Sequence, residues 1–339
     1  MTTELNSQSS DRLIDVRGLK TYFKTEAGIA KAVDGVDFFV RKGEMLGIVG
    51  ESGSGKSVTA LSLIRLIPNP PGFIAGGEIM FGGRDILKLP LEEMYKIRGK
   101  EIAMIFQEPM TSLNPVFTIG MQVEEIVKYH DHVPRDQTFG HAVKMLEQVG
   151  IPDAAKRMKD YPHQYSGGMR QRVMIAMALA CDPQILIADE PTTALDVTIQ
   201  AQILDLMIQL KERHAGAAII LITHDLAVIA ETCQRVIVMY GGMIQEISDV
   251  VPIFEEPLHP YTQGLLRSLP RPDIQQQKRL YNIPGTVPSI INLPKGCKFS
   301  NRCDRAMPIC NRVEPKLEEV APGRQVRCHL YGPTVEEAK

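Results

Sequence analysis

Gly50-Glu51-Ser52-Gly53-Ser54-Gly55-Lys56-Ser57 decides how the rest of this 339-residue chain is read. The string matches G-x-x-x-x-G-K-[ST] in full, and its flanks give the match its weight. Met45 to Val49, just before it, is a strand-length apolar run. After it, Ala60, Leu61, Leu63, Ile64 and Leu66 recur at helical spacing between Val58 and Ile67. The glycines let the backbone turn tightly enough for several N–H groups to converge on one oxyanion, and a helix starting near Ser57 adds its positive end. Lys56 can then reach β and γ phosphates, while the Ser57 hydroxyl suits Mg²⁺, a hard cation that takes oxygen ligands.

Working outward, the pattern is strand, loop, helix, repeated. Short strands are predicted between Leu13 and Val40, mostly helix from about 110 to 180, and a helix over Met169 to Cys181. Two further apolar runs, Ile185 to Ala188 and Ala217 to Ile222, flank the helical stretch Ile199 to Leu210. Strands alternating with helices imply an α/β fold with a mainly parallel sheet. The first of these runs, Ile185 to Ala188, ends in Asp189-Glu190, which puts two carboxylates at the C-terminal edge of that sheet, where open α/β folds bind ligands. Asp189 is the expected Mg²⁺ partner and Glu190 the candidate general base for an attacking water. From Pro252 onward the periodicity breaks into proline-bounded pieces, so a boundary is placed near residue 255.

Composition excludes several classes. The chain is 44% hydrophobic and 23% charged, the balance of a globular protein. With 38 basic against 40 acidic residues it offers no field for phosphate-backbone binding, and no local basic patch stands out, so no nucleic-acid partner is expected. The longest apolar run, Val173 to Cys181, is too short to cross a bilayer. The polar opening, residues 1–11, lacks the apolar core of a secretory signal and reads as a flexible tail, so a cytoplasmic location is expected.

Tyr165-Ser166-Gly167-Gly168-Met169-Arg170-Gln171, just before the acidic strand, completes a set that resembles the ATP-binding subunits of ABC transporters. It departs from the commoner LSGGQ form at Tyr165 and Met169 but keeps the Ser-Gly-Gly core. The resemblance implies a P-loop NTPase (RecA-like) core over 12–255 with an antiparallel β subdomain and a helical subdomain at about 110–180. It also implies that Ser166, Gly167 and Gly168 meet the nucleotide of a partner ATPase. By the same resemblance Gly50, Ser52, Gly53, Ser54, Gly55, Lys56, Ser57 and Val58 hold ATP, Ser57 and Gln107 serve Mg²⁺, and His224 contacts the γ-phosphate. Ala194-Leu195-Asp196 matches the D-loop, and Phe23, with Tyr22 close behind, is the aromatic expected to stack on adenine. Such a chain hydrolyses ATP; a soluble ABC ATPase outside transport, or a non-hydrolysing regulator, fits the single set of intact motifs less well.

Gln107 to Pro115, Tyr161 to Gln164 and His259-Pro260-Tyr261-Thr262 narrow the resemblance to the dipeptide and oligopeptide permease branch, whose pattern nickel and glutathione importers share. This implies a peripheral subunit on the cytoplasmic face of the cell membrane, feeding short peptides through two permease subunits supplied by an extracytoplasmic binding protein. The second ATPase is expected to be a related chain rather than a copy. Glu108 to Pro115 is assigned to the groove that receives the permeases.

Cys297, Cys303, Cys310 and Cys328 lie in a proline-rich extension, 256–339, with little apolar material for a core of its own. Thiolates favour zinc or iron–sulfur clusters, and these spacings lack the C-x2-C knuckle usual for zinc. The resemblance implies a 4Fe-4S cluster on these four residues; zinc, or no metal, are the alternatives. His329 reads as a bystander, and Cys181 and Cys233 as small core residues.

Overall fold

The computed structural model describes residues 11–108, 112–130, 133–134, 136–192, 197–213, 216–269 and 281–332. Among the described residues twelve strands run, in chain order, β1 (Arg12–Thr25), β2 (Gly28–Arg41), β3 (Met45–Val49), β4 (Gly72–Phe81), β5 (Arg84–Asp85), β6 (Ile102–Ile105), β7 (Ile185–Asp189), β8 (Ala218–Ile222), β9 (Arg235–Tyr240), β10 (Met243–Asp249), β11 (Glu318–Ala321) and β12 (Arg324–Val326). By contact density the chain divides into two compact units: the described parts of Met1–Leu13, Val40–Glu44 and Lys88–Ile222, and those of Ile14–Phe39, Met45–Leu87 and Thr223–Lys339.

In the first unit β6, β7 and β8 pair in parallel, with Ile102 opposite Ile185 and Ile185 opposite Ala218. Every residue of the three is buried, which is why each reads as an unbroken apolar run rather than an alternating one. The helices Ile119–His130, Thr138–Gln148 and Gly167–Leu179 supply the helical part predicted from 110 to 180. Cys181 is buried with Val127 and Ala180, as a small core residue.

The second unit carries a sheet ordered β2-β1-β4-β5 and the strand row β11-β12-β10-β9-β3. β3 runs parallel to β9, with Leu46 opposite Arg235, whereas β9, β10, β12 and β11 are antiparallel in turn. β1 and β2 are 14 residues each, not the short strands predicted, because the polar residues between apolar ones lie on the exposed side of one long ladder. The helix after the glycine loop spans Lys56–Leu63, starting earlier and stopping earlier than its apolar spacing implied: Arg65 turns left-handed at φ 53 before Pro68. Cys233 is buried at the end of the helix Leu226–Thr232. The sequence boundary near residue 255 falls inside this unit, where β12 pairs with β10.

Candidate functional site

In the second unit, the loop after β3 owes its turn to glycine backbone. Gly50, Gly53 and Gly55 sit at φ 151, 77 and 103, in the region that only glycine enters freely. A β-carbon on Gly50 would run into the Met239 carbonyl, and one on Gly55 into the Ala32 carbonyl. The helix Lys56–Leu63 begins at left-handed Gly55 with no side-chain cap, so its first amides face the loop's hollow. Lys56 is buried and donates to the carbonyls of Gly50 at 2.8 Å and Glu51 at 3.1 Å. Ser54 Oγ is buried with no hydrogen-bond partner in the structure. A cradle without β-carbons, a buried orphan hydroxyl and a cation are what a polyphosphate needs, so the loop residues fit the nucleotide that the sequence implied.

Around this loop the other predicted residues of the second unit take definite positions. Tyr22 is committed elsewhere: its hydroxyl donates to Asp34 at 2.6 Å, and its ring packs edge-on to Phe73 beneath Lys31. Phe23, the residue expected to stack on adenine, is half-buried, with its ring edge against Gly72. His224 is exposed, just after Thr223, whose N–H donates to the Ile48 carbonyl of β3. Asp225 then caps the helix Leu226–Thr232 by accepting from the amides of Ala227 and Val228.

In the first unit, Asp189 ends β7 with 4% of its surface exposed. Glu190 follows at φ 48, a conformation that costs a non-glycine residue energy and that clusters at functional positions. Its N–H donates to the Ile222 carbonyl, and Gln107 Nε2 donates to its carboxylate at 3.0 Å. The structure thus brings together two residues 83 positions apart that the sequence had placed in one reaction.

Ser166 caps the helix Gly167–Leu179, its Oγ accepting from the Met169 amide at 3.3 Å, while Gly167 and Gly168 form the open first turn. Tyr165, the departure from the usual leucine, is buried and donates to the Arg157 carbonyl at 3.0 Å; burial pushes its hydroxyl up to about 12. Ala194, Leu195 and Asp196 lie outside the described residues, as do 109–111 of the predicted permease groove. The described part of that segment is tied down by Gln122, which accepts from the Asn114 amide and donates to the carbonyls of Asn114 and Phe117. Beside it is a feature the sequence reading missed: Phe117, Met121 and Tyr129 are exposed and, with Glu124, Glu125 and Lys128, line an open groove of about 420 Å³. Single apolar residues on a helical face carry no sequence signal that separates this from ordinary surface.

The tail was expected to have little apolar material for a core of its own, and its Phe299 packs in part on β9. Phe299 is buried among Tyr240, Tyr261 and His259, with ring centroids 5.3, 5.3 and 5.9 Å away. Cys297 and Cys310 are buried, each 7% exposed, and Cys297 N–H donates to the Cys310 carbonyl at 2.8 Å. Burial pushes the Cys297 thiol up to about 12 and Cys328 up to about 11, and each is raised further by the neighbouring cysteines, so all four thiols share one neighbourhood. His329 Nε2 lies 2.9 Å from the Val313 carbonyl, which makes it a donor there rather than a ligand. A second contact missed in the sequence joins tail and loop: Arg302 pairs with the Glu51 carboxylate, Nη1 at 2.6 Å and Nη2 at 3.0 Å.

Comparison with known proteins adds to this geometry. A family model described as ABC transporter matches residues 33–193, and one described as oligopeptide/dipeptide transporter, C-terminal region, matches 246–310. The chain is 53% identical to the probable peptide ABC transporter ATP-binding protein y4tR of Sinorhizobium fredii, over 95% of this chain and 96% of that one. It is 51% identical to the oligopeptide transport ATP-binding protein OppD of Escherichia coli, over 96% of each. Among solved structures, the dimeric post-hydrolysis ATP-binding cassette MJ0796 bound to ADP and Pi superposes with a TM-score of 0.63 at 28% identity, covering 70% of this chain and 98% of that one.

Proposed function

From the premise that the chain belongs to the ABC transporter ATP-binding family, we propose that it is the ATPase subunit that powers import of short peptides through a membrane permease. Lys56 and the loop amides grip the phosphates, and Phe23 stacks on the base. Ser57, Asp189 and Gln107 would hold Mg²⁺, which when bound would offset charge on the phosphates. Glu190 accepts the proton of the attacking water, Gln107 holds that carboxylate in place, and His224 steadies the γ-phosphate. Ser166, Gly167 and Gly168 face the nucleotide of a second, related ATPase subunit. Closure of the two ATPases is the two-state element that drives the permeases.

The observation that carries this reading is the Gln107–Glu190 hydrogen bond on a strained, left-handed Glu190. Among the described residues no helix is long and apolar enough to cross a membrane. The exposed apolar groove on Ile119–His130 is suited to helices from two permease subunits on the inner side of the cell membrane. An extracytoplasmic binding protein delivers the peptide.

One reconstituted assay tests the reading. With permeases and binding protein in vesicles, a dipeptide stimulates hydrolysis and is taken up, and Glu190→Gln lowers turnover by about 10²- to 10⁴-fold while nucleotide stays bound. Stimulation by nickel or glutathione but not by peptides overturns the cargo; undiminished turnover in Glu190→Gln overturns the role of Glu190.

We take Cys297, Cys303, Cys310 and Cys328 as the ligands of the 4Fe-4S cluster that the sequence resemblance implies. A single tetrahedral zinc with 2.3 Å bonds needs its sulfurs about 3.8 Å apart, and among the described residues no three His, Cys, Asp or Glu side chains gather closely enough to share one ion. A cluster is wider, and Cys297 and Cys310, which are buried, and Cys303 and Cys328, which are half-buried, would bind it as thiolates whose charge the irons would offset. When bound, it would cross-link a loop-rich tail. Protein purified without air should absorb broadly near 400 nm and carry about four irons per chain; stoichiometric zinc without iron overturns this.

A further inference from the structure

Glu51 is held at three points. Its N–H donates to the Tyr261 hydroxyl at 2.7 Å, its carbonyl accepts from Lys56 Nζ at 3.1 Å, and its carboxylate is gripped by both terminal nitrogens of Arg302. The last contact spans 251 positions of sequence, and the Arg302 side chain is only 4% exposed. Arg302 is itself fixed: its Nε donates to the Pro284 carbonyl at 3.0 Å, and its guanidinium lies 5.7 Å from the Tyr240 ring and 5.9 Å from the Phe299 ring. So a rigid cation anchored in the tail holds Glu51, one of the two residues, with Gly50, whose carbonyls restrain the phosphate-loop lysine.

Electrostatics gives this contact a purpose. A carboxylate in a loop that must receive a polyanion repels it, and a bidentate guanidinium both cancels that charge and fixes where the carboxylate sits. Lys56 is thereby placed by a chain of contacts, Arg302 to Glu51 to Lys56, that begins outside the glycine-rich motif.

We propose that Arg302 is a positioning residue for the phosphate loop, acting on Lys56 through Glu51, so that the cysteine-bearing tail sets how tightly the loop holds nucleotide. This rests on the reading of Gly50 to Ser57 as the nucleotide site.

The test is a double-mutant cycle on the full chain, read as MgADP affinity by calorimetry, with a thermal melt of each variant. Arg302→Met should weaken MgADP binding about tenfold, as expected for loss of a charged hydrogen-bonded pair. Arg302→Lys, which keeps the charge but not the fork, should recover only part of it. In a Glu51→Ala background Arg302→Met should cost nothing further in affinity, although it still lowers the melting temperature through Pro284, Tyr240 and Phe299. An equal loss of affinity in both backgrounds, or none in either, overturns the proposal. If Arg302→Met does not fold, the same cycle is run with Arg302→Lys. Lys56→Ala separates the two readings: affinity unchanged by that substitution removes the loop from nucleotide binding, whereas affinity lost there but indifferent to Arg302 removes only the positioning role.

Discussion

Between Val49 and Lys56 the chain turns on backbone geometry, with left-handed glycines and carbonyls closing the hollow and a single short side chain, Ser54, buried inside it. Between Pro294 and Cys328 long side chains do that work. Lys298 reaches the Pro294 carbonyl and Glu314, Arg302 reaches Glu51 and the Pro284 carbonyl, Arg324 reaches Glu256, and buried Arg327 donates to the carbonyls of Ile244 and Pro315. Both regions belong to the same compact unit, and both lack regular secondary structure over most of their length. A backbone-shaped site must recur as a residue pattern, because only glycine tolerates its dihedrals. One held by arginines can be assembled from many patterns, since a guanidinium finds a carbonyl wherever the chain brings one.

The contrast breaks first at Gly50. Gly50→Ala places a β-carbon against the Met239 carbonyl at φ 151, so the loop must deform. MgADP binding is expected to fall below detection while the melting temperature moves by only a few degrees; a variant that binds normally would show that backbone shape does not set the site.

In the tail the order of effects reverses. Arg327→Met leaves two buried carbonyls, those of Ile244 and Pro315, without their donor, at about 1–3 kcal/mol each. Chemical unfolding should register that loss of stability with MgADP affinity nearly unchanged. Equal losses in both readouts would erase the distinction between the regions.

A smaller effect concerns His259, between the two. Burial lowers its pKa to about 3 from 6.5, and its Nδ1 accepts the Tyr261 amide at 3.0 Å, so the folded ring stays neutral. The unfolded chain takes up a proton below pH 6.5 that the folded chain refuses until about pH 3, so the unfolded state binds more protons across that window and stability falls as pH drops through it. From pH 6.5 to 5 this is worth about 2 kcal/mol. His259→Asn, which keeps an acceptor but does not titrate, should flatten that slope in urea unfolding measured at several pH values; an unchanged slope assigns the acid sensitivity to other groups.

Legibility in the sequence follows the same division. β3, β7 and β8 are buried on both faces, so their apolar runs stand out and their ends fall within a residue of where the pattern puts them. Asp189 and Glu190 stood out because they sit at the end of such a strand, and Gln107 was picked out by the family resemblance. Phe299 was not, because a lone aromatic among prolines has no period, and its partners Tyr240 and Tyr261 lie on elements far away in sequence. The Arg302–Glu51 pair was invisible for the same reason.

β10 is buried along six of its seven residues, and the side it turns away from β9 is met by β12, followed by β11. The outermost strand is four residues long, mostly exposed, and begins Glu318-Glu319. A brief acidic rim of this kind gives another chain little to zip onto, whereas β10 laid bare would offer apolar side chains beside open amides. Removing the tail after Asn311 would therefore uncover adhesive surface as well as loosen the fold, and the shortened chain should clump in a concentration-dependent way while the intact one stays dispersed.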